Sequence, residues 1–157
     1  MADPLAVGDP APDFSVPADD GGRLDLKDFR GRKLVLFFYP KADTPGCTIE
    51  SRAFSALAAD FAKAGAAVLG ASADPVKAQE KFKKKYGLDL PLAADEDHAM
   101  LSAYGVWMQK SMFGHKYMGI ERSTFLIDAK GRIARIWRKV KVPGHADEVL
   151  QAVRSAK

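Results

Sequence analysis

Cysteine is almost absent from this chain: one residue in 157, Cys47. A lone thiol excludes any intramolecular disulfide and any cysteine-rich metal centre. Histidine is nearly as scarce, and its three copies, His98, His115 and His145, show no metal-ligand spacing. His98 and His145 stand near predicted helix starts and read as surface or capping groups. His115 falls in an irregular stretch and reads as peripheral to any chemistry. No apolar run approaches the ~18 residues of a membrane-spanning helix. The opening Met1-Ala2-Asp3-Pro4-Leu5 has neither the basic nor the apolar region of a secretory leader. Repeats, low-complexity tracts and linkers are missing as well. These absences lead us to expect a cytoplasmic protein that makes no membrane contact.

What is present is ordinary in bulk. Hydrophobic residues make up 47% and charged residues 28%, the balance of a soluble globular protein. The length suits one domain over 1–157, large enough for a real core. The net charge of +4 raises a nucleic-acid reading, and the placement of the charges argues against it. The run Lys81–Lys85 is spaced as the solvated face of a helix, and Arg135–Lys141 as an exposed strand.

The pattern along the chain alternates. A Pro-rich opening, Gly8–Pro17, reads as extended edge structure. A turn at Asp19-Asp20-Gly21-Gly22 folds a short strand, Arg23–Leu26, back onto it, with one helical turn over Leu26–Phe29. Lys33–Tyr39 is apolar on both faces and predicts a central strand. Thr48–Ala64 predicts a helix with Phe54, Leu57, Ala58 and Phe61 on one stripe. Ala66–Ala73 is a second buried strand. Asp74 is the expected cap of a helix from Pro75 to Tyr86, stopped by Gly87. Leu90–Ala93 predicts a strand and Glu96–Tyr104 a helix. Val106–Glu121 has no clean period and reads as loop or irregular strand, its Trp107, Met108, Met112, Phe113 and Tyr117 serving ordinary packing. Ser123–Asp128 and Arg132–Lys141 form a hairpin around Ala129-Lys130-Gly131, and His145–Ser155 is a closing helix. The order predicts an α/β fold of thioredoxin-like layout: a central mixed sheet, helices on both faces, and an N-terminal extension hairpin.

The most informative segment surrounds the thiol: Pro40-Lys41-Ala42-Asp43-Thr44-Pro45-Gly46-Cys47-Thr48-Ile49-Glu50. It links the apolar strand to an amphipathic stretch. Thr44 suits an N-cap and Pro45 a first helical position, which puts Cys47 in the first turn. A helix N-terminus presents unpaired N–H groups and partial positive charge, so a thiolate there is stabilised. Gly46 permits close approach to the backbone. The N–H groups around Gly46, Cys47 and Thr48 form a nest for oxygen or developing negative charge. A guanidinium nearby would complete the cradle, and Arg122 stands at the mouth of a later strand. By itself it also reads as a surface residue at a strand end.

These residues carry a resemblance. Pro40-x3-Thr44-x2-Cys47 and Arg122-Ser123-Thr124-Phe125 together resemble the peroxiredoxins. The string Thr44-Pro45-Gly46-Cys47-Thr48-x-Glu50 is similar to their bacterioferritin-comigratory-protein (PrxQ) branch. The likeness extends from Gly8-Asp9-x-Ala11-Pro12-Asp13-Phe14 to Trp137-Arg138-Lys139-Val140-Lys141-Val142-x-Gly144-His145. It implies that Cys47 is the nucleophile toward a hydroperoxide and becomes a sulfenic acid. Thr44 and Arg122, with the N–H groups of Gly46 and Cys47, would bind the peroxide oxygens. Pro40 would shield the thiolate and Glu50 would buttress Arg122. The substrates would be hydrogen peroxide and organic hydroperoxides, and no metal, haem, flavin or other cofactor is needed, because the thiolate supplies the electrons.

The chain departs from the pattern in one respect. Many relatives of this branch carry a resolving cysteine five residues after the first, where Arg52 stands, or in the next helix, where Lys83 stands. The resemblance therefore implies a one-cysteine type, recycled by an external reductant such as thioredoxin, glutaredoxin or a small thiol, and acting as a monomer or weak homodimer. Two other readings are weaker. A dithiol-exchange module needs Cys-x-x-Cys, and Thr44 fills the first slot. A cysteine hydrolase needs a histidine base held by a third group, and no histidine is convincingly placed.

Overall fold

A short antiparallel pair opens the fold: β1 (Ser15–Pro17) and β2 (Arg23–Asp25), with Val16 opposite Leu24. This is the expected N-terminal hairpin, and a 3-10 turn over Leu26–Phe29 follows it. The computed structural model describes residues 5–156. Met1 to Pro4, on which most of the leader reading rests, lie outside the described residues.

The main sheet has five strands, in the spatial order Leu92–Ala94, Ala66–Ser72, Lys33–Phe38, Ser123–Ile127 and Ile133–Trp137. In chain order the elements are β3 (Lys33–Phe38), α1 (Pro45–Ala56), α2 (Ala58–Lys63), β4 (Ala66–Ser72), α3 (Val76–Tyr86), β5 (Leu92–Ala94), α4 (Ala99–Ala103), β6 (Trp107–Met112), β7 (His115–Ile120), β8 (Ser123–Ile127), β9 (Ile133–Trp137) and α5 (His145–Ser155). β3, β4 and β5 run parallel, as helical crossovers require, while β8 and β9 add antiparallel strands. β3 is central, as its apolar run implied.

Successive side chains of a strand face opposite sides, and β3 shows the consequence. Leu34, Leu36 and Phe38 join a cluster with α4 and the N-terminal segment. Val35 and Phe37, with Tyr39 just beyond, join another with α1, α2, α3 and α5. Phe37 stacks on Phe54 with ring centroids 4.4 Å apart. Gly70 of β4 makes this possible, since a Cβ there would stand 2.8 Å from the Phe37 ring. Among the described residues, no helix is long and apolar enough to cross a membrane.

Several boundaries differ from expectation for local reasons. The helix expected over Thr48–Ala64 starts at Pro45 and breaks at Leu57, whose N–H bonds to the Phe54 carbonyl three residues back. That tighter turn re-aims the chain so that Phe61 packs beside Phe54 at 5.9 Å. Asp74 does not cap α3: Pro75 holds that position, and the Asp74 carboxylate serves Ala42 and Ser72 instead. Gly87 stops α3 in the left-handed region, φ 60°, as expected. α4 starts at Ala99 rather than Glu96, because His98 adopts φ 64° and Asp97 accepts the Ala99 N–H. β9 ends at Trp137 rather than Lys141.

The largest correction concerns Val106–Glu121. It is a regular hairpin, β6 paired with β7 from Trp107↔Ile120 to Met112↔His115. Its two-residue turn, Phe113-Gly114, has φ 51° and 81°, the primed geometry that matches strand twist. Apart from Ile120 and Trp107 at its base, which join the core, its side chains face solvent: Met112, Phe113 and Tyr117 are 57%, 96% and 43% exposed. With both faces open to solvent the residues carry no period-2 signal, which is why the sequence reads as loop.

Candidate active site

α1 opens two residues before the thiol. Thr44 occupies the N-cap position with φ −95° and ψ 155°, Pro45 is the first helical residue, and Cys47 follows in the first turn. The Thr48 N–H, expected to belong to the nest, instead donates to the Thr44 carbonyl at 2.9 Å. The N–H groups of Gly46 and Cys47 precede it and have no carbonyl one turn back to bond. The Thr44 hydroxyl does not cap the helix. It donates to the Lys41 carbonyl at 2.7 Å and closes the loop on itself.

Arg122 arrives by sheet register. β8 runs antiparallel to β3 with Ser123 opposite Phe38. The residue before β8 therefore lies at the same sheet edge as the loop that follows β3. The Arg122 carbonyl accepts the Val140 N–H at 3.0 Å, which anchors its backbone. Its guanidinium then forks: Nη2 donates to Cys47 Sγ at 3.4 Å and Nη1 donates to Glu50 Oε1 at 2.7 Å. Cys47 and Glu50 are three residues apart on α1 and share a helix face, so one planar fork spans both. A Cβ at position 46 would stand 3.2 Å from Arg122 Nη2. Glycine there leaves room for the guanidinium.

The site is more enclosed than the sequence implied. The Cys47 thiol is 1% exposed. The cause is its place in the core cluster with Phe37, Tyr39 and Phe54. Glu50 is equally buried, and its Oε2 has no partner among the described residues. Burial raises the Glu50 carboxyl to about 7, although Arg122 pulls the other way. Burial lowers the Arg122 pKa, but Glu50 and the Cys47 sulfur push it above its ordinary value.

The structure thus brings Cys47, Arg122, Glu50 and Gly46 together, with Thr44 at the N-cap position of the same turn. Pro40 stands at the end of β3 and lines a surface groove of about 360 Å³ with Trp107, Tyr117 and Met118. The histidines need one correction. His145 is neither surface nor cap: it is 5% exposed, its Nε2 lies 2.8 Å from Thr124 Oγ1, and Phe54 and Trp137 meet its ring edge-on. Gly144, at φ 76°, starts α5 at an angle that carries the ring inward. Burial lowers its pKa to about 4, so it is neutral near pH 7. His98 stacks on Trp107 at 3.9 Å, and His115 is exposed beside the hairpin turn. Among the described residues no histidine hydrogen-bonds Cys47, and no cluster suits a metal ion.

Four residues around the site were missed in the sequence. Asp74 Oδ2 accepts the Ala42 N–H at 2.7 Å, and Asp43 accepts Lys85 Nζ at 2.8 Å and the Tyr86 hydroxyl at 2.6 Å. No local signal marks these pairs, because their partners lie more than thirty residues apart in the chain.

The model of the AhpC/TSA family matches residues 7–136. The chain is 44% identical over 150 residues to peroxiredoxin Bcp of Bacillus subtilis, covering 96% of each chain. It superposes on PrxQ of Xylella fastidiosa with a TM-score of 0.93 at 38% identity, covering 98% of both. A structure of the Xanthomonas campestris bacterioferritin comigratory protein, described for its alkyl peroxide reduction activity and trapped intermediate and ligand complexes, matches with a TM-score of 0.87 at 44% identity, covering 90% of each.

Proposed function

The chain belongs to the AhpC/TSA family, among its Bcp and Q-type peroxiredoxins, and from that premise we propose how it acts. It is a thiol-dependent peroxidase that reduces hydrogen peroxide and organic hydroperoxides through Cys47. The observation that carries the assignment of residues is the Arg122 fork, 3.4 Å from Sγ at one tip and 2.7 Å from Glu50 at the other.

The Cys47 thiolate attacks the outer oxygen of the hydroperoxide. The S–O bond forms as the O–O bond breaks, and the leaving oxygen takes a proton to become water or an alcohol. Developing negative charge falls on oxygens beside Arg122 and the N–H groups of Gly46 and Cys47, where fixed donors lower the barrier. Thr44, through its hydroxyl oxygen, orients the peroxide. Glu50 holds Arg122 in its plane, and Pro40 covers the approach. The sulfenic acid has no second cysteine in its own chain. An external thiol condenses with it, releasing water, and a second thiol exchanges to free Cys47. Thioredoxin, glutaredoxin or a small thiol can serve. A single thiol of this kind suits a reducing compartment, so the reading includes a cytoplasmic protein, one folded unit, active as a monomer or weak homodimer.

One equivalent of hydroperoxide, followed by a dimedone-type trap and mass spectrometry, tests this reading. Labelling confined to Cys47 supports it. A protein that runs mostly as a covalent dimer on non-reducing gels would overturn the external-thiol route.

A further inference from the structure

The loop that presents Cys47 contains an uncommon backbone conformation. Asp43, immediately before the N-cap Thr44, has φ 61°. A non-glycine residue in the left-handed region is held there by its surroundings. Here the holder is the last turn of α3: Lys85 Nζ at 2.8 Å on one carboxylate oxygen and the Tyr86 hydroxyl at 2.6 Å on the other. These donors keep the Asp43 carboxyl below the usual carboxylate range, so it is charged near neutrality. The preceding residue is held as well, since the Ala42 N–H donates to Asp74 at 2.7 Å.

The ion pair itself adds little stability. Asp43 and Lys85 side chains are 43% and 55% exposed, and exposed pairs are screened by water and salt. Its effect is geometric. The ψ and φ of position 43 set the direction in which Thr44 and the first turn of α1 leave the loop.

We propose that Asp43, latched by Lys85 and Tyr86, is a positioning residue for the peroxide-binding turn. It acts through Thr44 and the Gly46–Cys47 N–H groups and does not touch the substrate. The inference rests on the peroxidase reading above and adds three residues of α3 and its partner loop to the site. A site held to sub-ångström geometry loses rate when its supports loosen, whereas a thiol's reaction with an alkylating agent needs no oriented donors.

Two variants separate backbone from latch. Asp43→Gly makes φ 61° free of strain but removes the carboxylate. Lys85→Met with Tyr86→Phe leaves Asp43 in place and removes its donors. The measurements are the second-order rate of Cys47 oxidation by hydrogen peroxide, its rate of alkylation by iodoacetamide, and the thermal midpoint. The latch predicts that both variants lose about tenfold or more in the peroxide rate, while alkylation is unchanged or faster and both remain folded at the assay temperature. Peroxide rates within about twofold of the parent in both variants overturn the inference. A parallel fall in alkylation also overturns it, because the thiol itself would then have changed. An unaltered parent that fails to react with peroxide would instead overturn the peroxidase reading.

Discussion

Two segments of this molecule, the loop after β3 and the hairpin after α4, are built in opposite ways. The segment Pro40–Cys47 is tied to three other parts of the fold: to Asp74 after β4, to Lys85 and Tyr86 of α3, and to Arg122 just before β8. The hairpin Trp107–Ile120 is tied mainly to itself, strand to strand, and carries exposed Met112, Phe113, Tyr117 and Met118. A side chain that must hold a reacting group within hydrogen-bond reach needs a rigid support. A surface ribbon needs only its own ladder and a turn of the right hand. The proposed chemistry therefore falls where the chain is cross-tied.

The largest effect expected from breaking the tied loop is that of Cys47→Ser. It keeps volume and helix start but removes the nucleophile, and should cost at least about 10³-fold in peroxide turnover. Circular dichroism should match that of the parent. Activity within about tenfold of the parent would place the chemistry elsewhere.

Arg122→Lys comes next. An ammonium cannot fork between Sγ and Glu50, and the loss should be about 10–10³-fold in the second-order rate with peroxide. An unchanged rate would put Arg122 outside the reaction.

A smaller effect should appear in stability against pH. Glu50, raised to about 7 from an ordinary 4.5, holds a proton in the fold where the unfolded chain has lost it. Its contribution is present below about 4.5 and fades as pH rises toward about 7. His145, lowered to about 4 from 6.5, acts in the opposite sense: its contribution is present above 6.5 and fades as pH falls toward 4. The two slopes oppose each other across their shared window. Glu50→Gln should unmask the histidine, so that denaturant midpoints fall more steeply on acidification than in the parent. Parallel curves for the two proteins would show that Glu50 is ionised throughout.

The hairpin should respond least. Phe113 is 96% exposed at φ 51°, a position that suits Asn before Gly114. Phe113→Asn should raise the thermal midpoint by about 1–2 °C and leave the peroxide rate within about twofold. A large change in rate would mean that the hairpin also serves the site, and the contrast between the segments would fail.

Some of this was legible in the residues alone. The turn Thr44-Pro45-Gly46 gives the helix start, because cap and φ preferences are local. β3 and β4 announce themselves as buried strands, and Gly87 marks a helix stop by a conformation that glycine adopts freely. The pairing of Cys47 with Arg122 was suggested by resemblance, but its geometry comes from the antiparallel register of β3 and β8, which no local pattern encodes. The hairpin's exposure, the inward turn of His145, the burial of Cys47 and the Asp43 latch all depend on what packs from distant parts of the chain. Local backbone preference, acting over a few residues, determined the elements and the turn that carries the thiol. Long-range packing, acting between residues up to 75 positions apart, decided which charges meet there and how deeply the thiol is enclosed.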